Sequence, residues 1–207
     1  MGQLFRAIRK GRDLTGTRCA WAGEEPIYVA YHDEEWGVPN GDSRALFEKI
    51  ILEGFQAGLS WITILRKREH FRRVFDNFDA AKIAGYGPEK KAALLGDAGI
   101  IRNRLKVDAA IANAQAYLAL SEKQSLASFF WDFVDGKPIQ NGFTALSEVP
   151  PETPLSRAIS KALKGHGFRF VGPTTIYAMM QSVGMVNDHL TSCHRHAPCA
   201  ALKPHLR

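Results

Sequence analysis

The sequence predicts an all-α fold, on three observations: apolar residues recur at helical spacing along nearly the whole chain, no segment alternates with period two over a strand's length, and capping residues punctuate the helical runs. The first clear helix opens at Asp42 or Ser43, both good N-caps, and runs to about Ala57, before Gly58. Leu46, Phe47, Ile50, Gly54 and Ala57 make its apolar stripe, and Glu53 falls in the middle of it. Ser60 caps a second helix that turns Trp61, Ile64, Leu65, Phe71 and Phe75 inward and Arg66, Lys67, Arg68, Arg72 and Arg73 outward. Asp79 begins a short helix, and Pro88, at the first helical position where its missing N–H costs nothing, begins another through Leu95. The segment 97–106 is a tight turn built on Gly99 that leads into a long amphipathic helix ending near Leu120. Ser125 to Val134 forms a short aromatic helix stopped at Gly136-Lys137-Pro138. Residues 138–154, with four prolines and no period, are expected to be the one long loop; two more helices follow, near 155–164 and 173–183.

At 207 residues the chain can bury one core without disulfides. Three cysteines spread over its length suit a reducing, cytoplasmic setting in which thiols stay free or bind metal. No apolar run is long enough for a signal peptide or a membrane span. The net charge of +6 points to a polyanion, but it is concentrated at the two ends. Arg6, Arg9, Lys10, Arg12 and Arg18 face only Asp13 at the front, and Arg195, Lys203 and Arg207 lie at the back, so residues 19–194 sum to −1. The chain therefore divides into a basic extension over 1–17, a globular domain over 18–196 and a tail over 197–207.

Four residues have the donor chemistry of a closed tetrahedral zinc site: Cys19 and His32 near the front, His189 and Cys193 near the end. The spacing of His189 and Cys193 places both on one face of a helical turn. The plainer alternative is a buried thiol with hydrogen-bonded histidines, and His196 and Cys199 offer competing ligands. Glu53, a carboxylate on an apolar stripe, has to be paired, metal-bound or at a pocket wall. Trp21, Tyr28, Tyr31, Trp36 and Trp61 flank it in sequence and could form a stacking pocket for a planar cationic base, or simply core. The segment from Ala92 to Ala110 has the pattern of a helix-hairpin-helix, with Gly99 at the turn and Arg102, Arg104 and Lys106 beside it. Such a turn can aim backbone N–H groups and a helix N-terminus at a DNA phosphate, although an ordinary helical corner has the same pattern.

Arg18-Cys-Ala-Trp21, Tyr31-His-Asp-Glu-Glu-Trp-Gly37, Leu52-Glu-Gly54, Gln56-Ala-Gly-Leu-Ser-Trp61, Asp97-Ala-Gly-Ile-Ile101, Gly167-Phe-Arg-Phe-Val-Gly172 and Val186-Asn-Asp-His189 occur in this order. Together they resemble the 3-methyladenine DNA glycosylase I family, over a stretch from Arg18 to Cys193. The resemblance implies a helix-hairpin-helix glycosylase-like helical bundle, with structural Zn²⁺ on Cys19, His32, His189 and Cys193 joining the ends. It further implies Glu53 and Tyr31 as catalytic residues, Trp21, Tyr28, Trp36 and Trp61 as base-contacting aromatics, and no lyase lysine. The expected partner is double-stranded DNA containing 3-methyladenine, from which a monomer releases the free base and leaves an abasic site. A non-catalytic DNA-binding module and a metallohydrolase with an open metal position are the rival classes.

Overall fold

In the computed structural model, residues 17–206 are described, so the basic extension lies outside the described residues apart from Thr17. The fold is mostly helical. A short 3₁₀ turn at Ala20–Ala22 precedes α1 (Pro26–Glu34), α2 (Ser43–Gln56), α3 (Trp61–Val74), α4 (Ala80–Ala84), α5 (Pro88–Gly96), α6 (Arg104–Ser121) and α7 (Leu126–Asp132). α8 (Pro154–Gly165), α9 (Pro173–Ser182) and α10 (His196–Ala200) complete the helices. Two strands of two residues each, β1 (Ile139–Gln140) and β2 (Val186–Asn187), pair in parallel with Ile139 opposite Val186.

α2 is the central helix. Asp42 accepts from the Ala45 N–H and fixes its start, and Leu46, Phe47, Ile50, Ile51, Leu52 and Phe55 are all buried. From Ile50 to Phe55 every residue of α2 is buried, so Glu53 is enclosed with its apolar neighbours. α3, α6, α7 and α9 pack around it. Trp131 on α7 is fully buried and its indole N–H donates to the Asn40 carbonyl at 2.9 Å, which fixes the entry to α2.

Two features differ from the sequence expectation. α1 was not expected: it starts at Pro26 and buries Tyr31, His32 and Asp33, a stripe too polar to register as amphipathic. The segment from His189 to Cys193 is not a helical turn. It is an irregular turn closed by the Cys193 N–H on the Leu190 carbonyl at 2.7 Å. Beyond it α10 forms, Cys199 is buried, and the chain near His205 runs so close to Gly41 that a β-carbon there would lie 2.3 Å from the His205 carbonyl oxygen.

Candidate active site and metal centre

Cys19, just ahead of the first 3₁₀ turn, and His32, on α1, meet His189 and Cys193 from the far end of the chain, and all four are buried. The Cys193 sulfur lies 3.5 Å from His32 Nε2 and 3.5 Å from His189 Nδ1, and the Cys19 sulfur lies 3.7 Å from His189 Nδ1. The edge between a sulfur and a nitrogen ligand of a tetrahedral zinc, built from its usual bond lengths, is about 3.6 Å. The cluster thus has the dimensions to hold a metal ion.

The surroundings set the correct imidazole tautomers. His32 Nδ1 donates to Asp33 at 2.7 Å, leaving Nε2 unprotonated toward the cluster, where it accepts from the Cys19 N–H at 3.4 Å. His189 Nε2 donates to the Trp36 carbonyl at 3.0 Å, leaving Nδ1 bare. Burial lowers the His189 pKa and favours the neutral, metal-binding form. Asp33 is itself gripped by the Arg18 guanidinium at 2.8 to 3.0 Å. The N–H groups of Leu190 and Arg195 point at the Cys19 and Cys193 sulfurs at 3.4 Å, which suits thiolates. Gly37, at φ +76°, passes the cluster so closely that a β-carbon would lie 2.9 Å from His189 Nε2. The competing ligands are engaged elsewhere: Cys199 Sγ meets Arg195, and His196 Nε2 meets the Asn141 carbonyl at 2.9 Å.

Next to this cluster a cavity of about 210 Å³ is lined by Trp21, Tyr28, Tyr31, Trp36, Glu53 and Trp61. Its size suits one flat heterocycle. Trp21 and Trp36 pack edge to face with centroids 4.9 Å apart, and Tyr31 and Trp61 are tilted at 43° with centroids 5.4 Å apart. Trp36 also sits 4.6 Å from the His189 ring, so metal cluster and cavity share a wall. Glu53 Oε2 and Trp61 Nε1 are buried without a hydrogen-bond partner among the described residues. An orphaned carboxylate oxygen facing aromatic rings is poised to accept from a ligand. Burial pushes the Glu53 pKa up to about 7, against the opposing pull of Lys49 and then of the Ser182 hydroxyl. Burial also holds the Tyr31 hydroxyl well above its ordinary range, so it stays protonated and able to donate.

Sequence reasoning missed several residues at this site. Lys49 lies one turn before Glu53, and its ammonium sits 4.4 Å from the Trp61 ring centroid and 5.0 Å from that of Tyr31; the i, i+4 spacing was the available signal. Leu146 and Val149 reach the cavity from the long loop, which carries no periodicity to betray them. Gln56, Gln181 and Asp188 complete the polar lining.

Lys106 is placed differently from the expectation. It is buried, and its ammonium donates to the Phe55 and Ala57 carbonyls at 2.8 and 2.6 Å. The last carbonyls of α2 have no intrahelical partner, and Lys106 satisfies them instead of a phosphate. The Gly99 N–H is likewise taken, by Asp97 at 2.7 Å, and His70 pins Asp97 at 2.7 Å. Gly99 is needed for close approach: a β-carbon there would lie 2.3 Å from the His70 ring. Arg102 and Arg104 remain exposed at the start of α6. The basic face of α3 is largely neutralised, with Arg66 on Glu25, Arg68 on Glu35 and Arg72 on Glu48.

A model of the methyladenine glycosylase family matches residues 21–196. The chain is 52% identical over 184 residues to a DNA-3-methyladenine glycosylase of Haemophilus influenzae, covering 88% of this chain and 97% of that one. A crystal structure of 3-methyladenine DNA glycosylase I is similar at 52% identity with a TM-score of 0.86, over 87% of this chain and all of that chain. A tyrosine-to-phenylalanine variant of such an enzyme, solved in complex with 3-methyladenine, is 34% identical with a TM-score of 0.83, over 86% and 97% of the two chains. With both the sequence match and the helical architecture extending from the first aromatic of the cavity to the last turn of the metal cluster, this chain belongs to the methyladenine glycosylase family.

Proposed function

We propose that the protein is a monofunctional DNA glycosylase that flips 3-methyladenine out of alkylated duplex DNA and hydrolyses its glycosidic bond, leaving an abasic site for base excision repair. The observation that carries this reading is Glu53, a buried carboxylate with an unpartnered oxygen inside an aromatic cavity of heterocycle size. A stacked base cannot reach such a cavity until its nucleotide leaves the helix, at a cost of a few kcal/mol that damage reduces.

Methylation at N3 makes the base a cation, and Trp61, Trp21 and Tyr28 present π-faces to it, each such contact contributing about 0.5–2 kcal/mol. Glu53 accepts from the exocyclic amine and, in its ionised form, faces the positive charge; Tyr31 donates to the base from the same wall. Neutral adenine would leave Glu53 desolvated without a counter-charge, which is the basis of discrimination. In the chemical step the bond between the sugar C1′ and the base nitrogen breaks, the base keeps the electron pair and departs neutral. Water forms the new C1′–O bond and loses a proton. The lysine of the site, Lys49, has its ammonium over the Trp61 and Tyr31 rings and is not among the residues that line the cavity, which supports release by water over an amine-linked lyase step.

The metal is zinc, on the chemistry of two thiolates and two imidazoles, and with four protein ligands it keeps no open position. Its contribution is a cross-link between the first and last parts of the fold, which argues against the metallohydrolase class. Free thiols fit a reducing, cytoplasmic compartment. The helix-hairpin-helix role falls to the corner between α5 and α6, where Arg102 and Arg104 contact the DNA backbone and the protein acts as a monomer.

Chromatography of bases released from methylated duplex DNA tests the activity: free 3-methyladenine is the expected product, and intact DNA with folded, metal-loaded protein would favour the plain binding module. Replacing both Arg102 and Arg104 by Ala should reduce the slope of log affinity against log salt by about 1.8, from two lost phosphate contacts. An unchanged slope in filter binding would place the DNA elsewhere on the surface.

A further inference from the structure

Asp188 follows β2 directly, precedes the metal-cluster residue His189, and is buried at the cavity wall. Every side chain bonded to it is a donor. The Tyr177 hydroxyl reaches Oδ2 at 2.7 Å, Gln181 Nε2 reaches Oδ2 at 2.8 Å, and Asn141 Nδ2 reaches Oδ1 at 2.6 Å. A carboxylate only accepts, so the Gln181 amide has to turn its nitrogen to Asp188, and its carbonyl oxygen is left as the free end. Gln181 lines the same cavity as Glu53. The Gln181 backbone is fixed as well, its carbonyl accepting from the Gly37 N–H at 3.1 Å.

We propose that Gln181 is a second base-reading residue, oriented by Asp188 so that its Oε1 accepts one N–H of an exocyclic amine while Glu53 accepts the other. The inference rests on the cavity being the base site. An amine has two N–H groups, and burying it against a single acceptor leaves one of them unsatisfied, which costs affinity. With two acceptors lining it, the cavity selects a ring carrying an amine over the same ring without it. Asp188 is then a positioning residue that excludes the flipped amide, in which Gln181 would present a donor and repel the amine.

The experiment compares the affinities of two free bases, 3-methyladenine and 3-methylpurine, the same ring lacking the amine, by quenching of tryptophan fluorescence. Gln181→Met should weaken 3-methyladenine about 10-fold, a typical value for one lost hydrogen bond, and leave 3-methylpurine unchanged. Gln181→Ala should repeat the contrast, with metal content and melting midpoint verifying the fold. Equal loss for both bases, or loss for neither, in folded variants would overturn the assignment of Gln181 alone. Wild-type protein that binds neither base would instead overturn the reading of the cavity, and the inference with it.

Discussion

Glu53→Gln is expected to lower release of 3-methyladenine from methylated DNA on the order of 10²-fold, with the duplex still bound. The amide keeps shape and one acceptor but loses the charge, and preorganised electrostatic groups in a dry site commonly contribute on that scale. The wild-type profile should rise with pH through about 7, where Glu53 ionises, and the variant should lack that limb. The same substitution should stabilise the protein above neutrality. A carboxyl whose folded pKa is raised ionises first in the unfolded chain, so between its ordinary value and about 7 the folded state holds more protons, and stability falls as pH rises. Glu53→Gln removes that decline, so its melting midpoint should exceed the wild type at pH 8 and match it at pH 5. A variant with full excision rate and an unchanged profile would remove Glu53 from the site.

Loss of the metal is expected to have the largest effect on stability. Structural zinc in small domains contributes about 10–16 kcal/mol at neutral pH, and part of that is recovered by relaxation when a larger core survives. Taking about 5 kcal/mol as the residual cost, Cys193→Ala or prolonged chelation should lower the melting midpoint by roughly 10–20 °C. Base binding should fall with it, because Trp36 touches both His189 and the cavity. Metal analysis should give about one zinc per chain, and a chelated protein with an unchanged midpoint would show that the four residues are held by packing alone.

The sequence was most legible where local physics decides. Asp42 caps α2 as its type predicts, and Pro88 and Pro173 stand at helix starts as read, while Pro154, counted with the loop, opens α8 one residue early. The four Cys and His residues and the aromatic cluster were visible as residue types, with a plain buried thiol and ordinary core left open beside them; the groupings themselves appear only in the fold. What failed was non-local. Lys106 belongs to a basic run in sequence, yet the open carbonyls of α2, some 50 residues earlier, draw it inward. α1 was hidden because its buried stripe is Tyr31, His32 and Asp33, polar groups whose partners lie elsewhere in the chain. The turn after β2 brings His189 to Cys193 without a helix, since the cluster and two N–H···S contacts determine its shape in place of local propensity.

Cys19 and His189 are 170 positions apart, and closing a loop of that length costs about 4–5 kcal/mol of chain entropy. The contact across it therefore has to form late, once the helices between have brought the ends together. During synthesis, which proceeds from the N-terminus, Glu53 and the aromatic rings emerge long before Gln181, Asp188 and His189. A nascent or prematurely terminated chain would hold most of the base cavity but neither its last wall nor its clasp. The arrangement couples competence to completeness: only a chain translated through Cys193 can close the cavity and assemble the four-residue cluster.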